Sequence, residues 1–170
     1  IWIVLGVIIG VVIIFFAMKG GISLPGKTSQ DNAGGESVGK AVVPSASPVN
    51  EENQVVTPEG KPVDLDVTPG SPTAPQQTNA ISEETLPEES VKLEMSSAGI
   101  VPREFSVKAG QLVTLAATAK DSSTHVFKFS DSSLEAVALG LAPGETRAIS
   151  FNAPKEKGEY EFHCDVPGHA

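Results

Sequence analysis

The stretch GEYEFHCDVPGHA, Gly158–Ala170, decides how the rest of the chain is read. Alternation puts Tyr160, Phe162 and Cys164 on one side of an extended run and Glu159, Glu161 and His163 on the other. The first side carries an apolar pair and then a thiol, as expected where a strand buries its sulfur at one end of a sandwich. Pro167-Gly168 follows as a turn that can fold the chain back and bring His169 toward Cys164. Cys164 is the only cysteine of the chain, so no internal disulfide can staple the fold. Such a lone thiol is either a small buried hydrophobe or a ligand or nucleophile.

Moving outward, the region from about residue 90 alternates repeatedly. VKLEMS sets Val91, Leu93 and Met95 against Lys92, Glu94 and Ser96. EFSVKAGQLVTLAATA places Phe105 and Val107 on one face, turns at Ala109-Gly110, then offers Val113, Leu115 and Ala117. HVFKFS sets Val126 opposite Phe127 and Phe129, and TRAISFNAP supplies another alternating run. Short strands separated by Gly, Pro, Asp and Ser clusters predict an all-β fold, an antiparallel sandwich or barrel, over residues 90–170. A domain of that size without disulfides has a thin stability margin, which a bound metal would widen.

Three side chains then stand out together. His125 opens one predicted strand after the turn-like AKDSST, Cys164 ends another, and His169 lies just past a turn. A thiolate with two imidazoles is the equatorial donor set of a blue-copper electron-transfer site, because soft sulfur and imidazole serve both Cu(I) and Cu(II). Zinc accepts the same donors, but a structural zinc site wants four ligands in closely spaced pairs, and the chain has no cysteine pair.

From about residue 90 to Ala170 the chain resembles the cupredoxins, the plastocyanin, azurin and halocyanin group. The resemblance is carried by VPREFSVKAGQLVTL, by HVF, and by GEYEFHCDVPGH. It implies a Greek-key β-sandwich holding one type 1 copper, with His125, Cys164 and His169 as ligands. It also implies an electron carrier, not an enzyme, that exchanges single electrons with redox protein partners of the cytochrome or copper oxidase type. LGLAPGETRAISF is similar to the family's Pro-Gly turn before a strand. Most members add an axial Met a few residues after the second His and then a closing strand. Met18 and Met95 are poor substitutes, so the sequence is expected to be a fragment, truncated before the axial ligand and also at the N-terminus.

Two other functions use the same residues. A copper delivery or sequestration module would hold the metal without relaying electrons. An electron-input domain of a copper oxidase or nitrite reductase would use His163, beside Cys164, to reach a catalytic copper. Such a site needs several more histidines, and the chain has three in all, so His163 reads as a surface residue beside Glu159 and Glu161.

The remaining sequence divides in two. IWIVLGVIIGVVIIFFAMKG holds no charge until Lys19, and eighteen residues of helix span roughly 27 Å, about a bilayer's hydrocarbon thickness. Residues 1–19 are therefore expected to be a transmembrane anchor, with a cleaved signal as the alternative and the cupredoxin domain extracytoplasmic, periplasmic or at the cell surface. Residues 20–89 carry Pro every few positions among Ser, Thr, Gly and acids, with no apolar period, and are expected to be a disordered linker. The net charge of -9 argues against a nucleic-acid binder, which needs clustered Lys and Arg.

Overall fold

The computed structural model describes residues 39–169. Its elements follow from the alternating runs. In chain order the strands are β1 (Lys40–Ala41), β2 (Pro48–Val49), β3 (Val91–Ser96), β4 (Gly99–Val101), β5 (Leu112–Ala119), β6 (His125–Phe129), β7 (Ala138–Leu141), β8 (Thr146–Asn152) and β9 (Phe162–Cys164). One sheet has the order β4-β3-β5-β8 and a second the order β7-β6-β9, while β1 and β2 form a small hairpin. The described residues contain two short 3-10 turns, Glu83–Thr85 and Ser132–Leu134, and no helix long and apolar enough to cross a membrane. The expected anchor at 1–19 lies outside the described residues.

The two sheets close on one apolar core. Leu93, Met95, Val113, Leu115, Ala117, Ile149 and Phe151 come from the first sheet, and Phe127, Phe129, Leu139, Leu141 and Cys164 from the second. In β6 the residues His125, Phe127 and Phe129 are buried and Val126 and Lys128 are not, so a one-residue slip would turn the first histidine out to solvent. Around the inner end of β9, Phe162 meets Phe105, Phe127 and Phe129 with ring centroids 5.5–6.3 Å apart.

Three differences from the sequence reading are physical. β3 and β5 pair parallel, Val91 opposite Leu115 through Met95 opposite Ala119, so the sandwich is mixed, not purely antiparallel. The chain reverses through β4 on one side of β3, returns along residues 102–111, and enters β5 on the other side of β3. Alternation reports which face a residue takes and says nothing of pairing direction. Phe105 and Val107 alternate but belong to no strand, because residues 102–108 have no ladder partner among the described residues; Val107 is exposed and Phe105 rests on Phe162. Likewise Glu159–Glu161 precede the strand, which begins at Phe162.

The largest correction concerns residues 39–89, expected to be part of a disordered linker. They form a strap laid over the outer face and free edge of the first sheet. Gln77 bridges to Ile149 and Ile81 to Thr146, which gives β8 a partner along its open side. Thr78 N–H donates to the Ala148 carbonyl at 2.7 Å, Ala148 N–H donates to Thr78 Oγ1 at 2.9 Å, and Ile81 N–H donates to the Thr146 carbonyl at 2.9 Å. Val43 and Ala46 pack on Ala116 and Ala148, joined by Val42, Ile81 and Leu86. The sheet permits this approach because its outer rows are small: Thr114, Ala116 and Thr118 in β5 stand opposite Ser150, Ala148 and Thr146 in β8. Further out, Val55 N–H donates to Asn152 Oδ1 and Asn152 Nδ2 donates to the Asn53 carbonyl.

Candidate metal centre

The site is built at one end of the second sheet by three elements. His125 is the first residue of β6, opposite Leu141 of β7, and its ring is fully buried. Cys164 is the last residue of β9, in register with Phe127 two residues further along β6, and is 8% exposed. The neighbouring Asp165 N–H still donates to the Val126 carbonyl at 2.8 Å, which carries the pairing one residue past the strand. The chain then turns. Gly168 adopts φ +85°, in the region that disfavours a side chain, and His169 N–H donates to the Val166 carbonyl at 3.2 Å. That turn delivers His169, half-buried, back over Cys164.

The donor atoms converge. Cys164 Sγ lies 3.7 Å from His125 Nδ1 and 3.6 Å from His169 Nδ1, and the two nitrogens are 3.1 Å apart. A point equidistant from the corners of that triangle is about 2.0 Å from each by plane geometry. A first-row ion such as zinc takes roughly 2.0–2.1 Å to imidazole nitrogen and about 2.3 Å to thiolate sulfur. A soft divalent or monovalent transition ion therefore fits with only a few tenths of an ångström of adjustment. The three residues expected from the sequence are the one His/Cys/Asp/Glu group of metal-holding geometry among the described residues.

One partner in the site carries no signal strong enough to be read from the sequence. Asp121 Oδ1 lies 2.8 Å from His125 Nε2. A carboxylate only accepts, so Nε2 carries the ring proton and Nδ1 is left with a lone pair facing the other two donors. Asp121 also accepts from Ser97 N–H at 2.7 Å and Ser123 N–H at 3.0 Å. The His125 bond, followed by these two backbone donors, holds the Asp121 carboxyl well below the usual carboxylate range. The only hint in the sequence is an Asp before Ser-Ser, four positions ahead of a histidine, and Asp is common in any turn.

His163, beside Cys164, points the other way. It is exposed, with Nδ1 3.1 Å from Ser130 Oγ and Nε2 3.8 Å from Asp165 Oδ1, and Lys128 Nζ is 3.6 Å from the other oxygen of Asp165. Met95 is buried in the core between the sheets.

A two-sheet β-sandwich with a thiol and two imidazoles gathered at one end defines a β-domain that carries the equatorial donor set of a blue-copper centre. Comparison with known families gives the same answer: the chain matches the Cupredoxin-like domain family over residues 73–170 and belongs to it. The match begins inside the strap, ahead of the domain start expected near residue 90. No curated protein matches the chain. Family membership brings a general function, copper binding of the electron-transfer type.

Proposed function

We propose that the domain is a type 1 copper protein that passes single electrons, with His125, Cys164 and His169 as the equatorial ligands. The observation that carries this reading is the triangle of Sγ and two Nδ1 atoms, whose centre is one metal–ligand bond length from every corner. Copper held there supplies a one-electron Cu(II)/Cu(I) couple. The chain's part is to keep the donors in place while the charge changes. His125 and Cys164 sit on paired strands over the aromatic cluster of Phe127, Phe129 and Phe162, which limits their movement. His169 is the candidate ligand nearest solvent, so its ring is the natural contact for a docked redox partner.

Loading the chain with one equivalent of Cu(II) should produce an intense blue sulfur-to-copper absorption that bleaches reversibly on reduction. Cys164→Ser should abolish the band, since the hydroxyl replaces the sulfur responsible for it. A colourless chain that takes up no copper would overturn the proposal. Rapid loss of Cu(I) to a chelator, with no reversible couple, would replace electron relay with copper delivery.

A further inference from the structure

The group that holds His125 from behind is an anion, and it is fixed independently of the histidine. Asp121 Oδ2 accepts from Ser97 N–H in the β3–β4 turn, and Oδ1 accepts from Ser123 N–H as well as from His125 Nε2. Two separate loops thus pin the carboxylate before the ring is considered. A backbone carbonyl or a hydroxyl would orient an imidazole equally well; a carboxylate adds a full negative charge one imidazole ring away from the centre of the donor triangle. The nearest lysine in sequence, Lys120, is turned to Glu94 at 3.3 Å. Asp121 is about a quarter exposed and His125 not at all, so water screens this charge from one side only.

The geometry points to Asp121 as a positioning residue of the metal centre. It fixes His125 as the Nε2-protonated tautomer with Nδ1 turned toward Cys164 and His169, and its charge favours Cu(II) over Cu(I). The second half rests on the copper reading above; the first does not. The charge effect follows from Coulomb's law, because the carboxylate attracts a divalent ion more strongly than a monovalent one at the same distance. The tautomer effect follows from the hydrogen bond, because a ring that rotates or swaps its proton presents N–H, not a lone pair, to the metal.

The experiment compares the full chain with D121N, which keeps an acceptor oxygen but no charge, and D121A, which keeps neither. In the metal-free chain, nitrogen NMR of the histidine rings should show His125 protonated at Nε2 in the wild type and in D121N, and a mixture of tautomers in D121A. With Cu(II) added, D121A should hold copper about 10–100-fold more weakly. D121N should keep the blue band, while its Cu(II)/Cu(I) midpoint potential rises. His125 protonated at Nδ1 in the wild type, or an unchanged tautomer and copper affinity in D121A, would overturn the positioning role. An unchanged or lower potential in D121N would overturn the charge role. Should D121A fail to fold, the NMR spectrum of the wild type and the potential of D121N decide the two roles. A wild-type chain with the expected tautomer and no affinity for copper would sink the proposed function and the charge role, and leave the positioning role standing.

Discussion

Leu93, Phe127 and Ile149 meet across two sheets and are almost completely buried, and so are Val43, Val55 and Val56 of the strap. The two sets reach that state by different routes. In the sandwich, side chains two residues apart share a face, and burial of one predicts burial of the next. In the strap, apolar residues come as isolated pairs between prolines, and order comes from hydrogen bonds along the edge of β8, donated by the backbone of Thr78 and Ile81 and accepted by Thr78 Oγ1. Low apolar content and many prolines are the signature of a chain that cannot fold alone. They do not describe one that borrows a sheet edge and a flat face from a neighbour.

The strongest way to break the comparison is to remove the strap. A chain beginning at Ser90 loses five hydrogen bonds to β8, each worth about 1 kcal/mol, and uncovers the face holding Ala116 and Ala148. It also reopens a sheet edge to pairing with other chains. The strap's own ordering entropy offsets part of this gain. A net loss on the order of 3 kcal/mol would lower the thermal midpoint by about 10 °C or more, and aggregation should accompany it. Thermal unfolding followed by circular dichroism reads the change. A shortened chain as stable as the whole would make the strap a passenger and restore the domain start near residue 90.

The same contrast explains what could be read in advance. The candidate ligands were legible because their types are scarce: one cysteine and three histidines leave few ways to assemble a site. Facing within β3, β5, β6 and β8 was legible because alternation is a direct image of the pleat. The parallel pairing of β3 with β5 was hidden, since nothing in a strand's own sequence encodes its neighbour's direction. Asp121 was hidden for the opposite reason to Cys164: it is a common residue in a common setting, and its role appears only when Ser97 and His125 arrive from elsewhere. The strap was hidden because small outer residues such as Thr114, Ala116 and Ser150 look like an ordinary solvated face. Their smallness is the trace of the segment that covers them.

That last point can be sharpened with one side chain. Ala148→Leu would place three extra carbons between β8 and the strap, where Val43 and Ala46 already make contact. Overpacking of this kind costs about 1–3 kcal/mol. Ala142→Leu, on the exposed turn after β7, makes the same chemical change outside the strap contact and should stay within about 0.5 kcal/mol of the wild type. Urea unfolding of the two variants separates them. Equal, negligible effects would mean that the strap does not sit on Ala148 in solution.

The smallest effect tests whether the sandwich's own turns are held by charge, as the strap is held by backbone bonds. Glu145 closes the turn between β7 and β8, accepting from Arg147 Nε and from Ala142 N–H, each at 3.0 Å. The Arg147 bond first, and then the Ala142 N–H, hold its carboxyl below the usual range. A carboxyl depressed in the folded state binds its proton more readily in the unfolded chain. Its contribution is therefore complete above the unfolded value, about 4.3, and is lost as the pH falls through the folded value. Glu145→Gln should then lower the thermal midpoint by a small, measurable amount at pH 7, and the gap should close as both proteins are taken well below pH 4. Because the pair is open to solvent, added salt should shrink the gap at pH 7 as well. A gap that persists unchanged in acid would mean that the glutamine disturbs the turn by its shape, and that the charge on Glu145 contributes nothing.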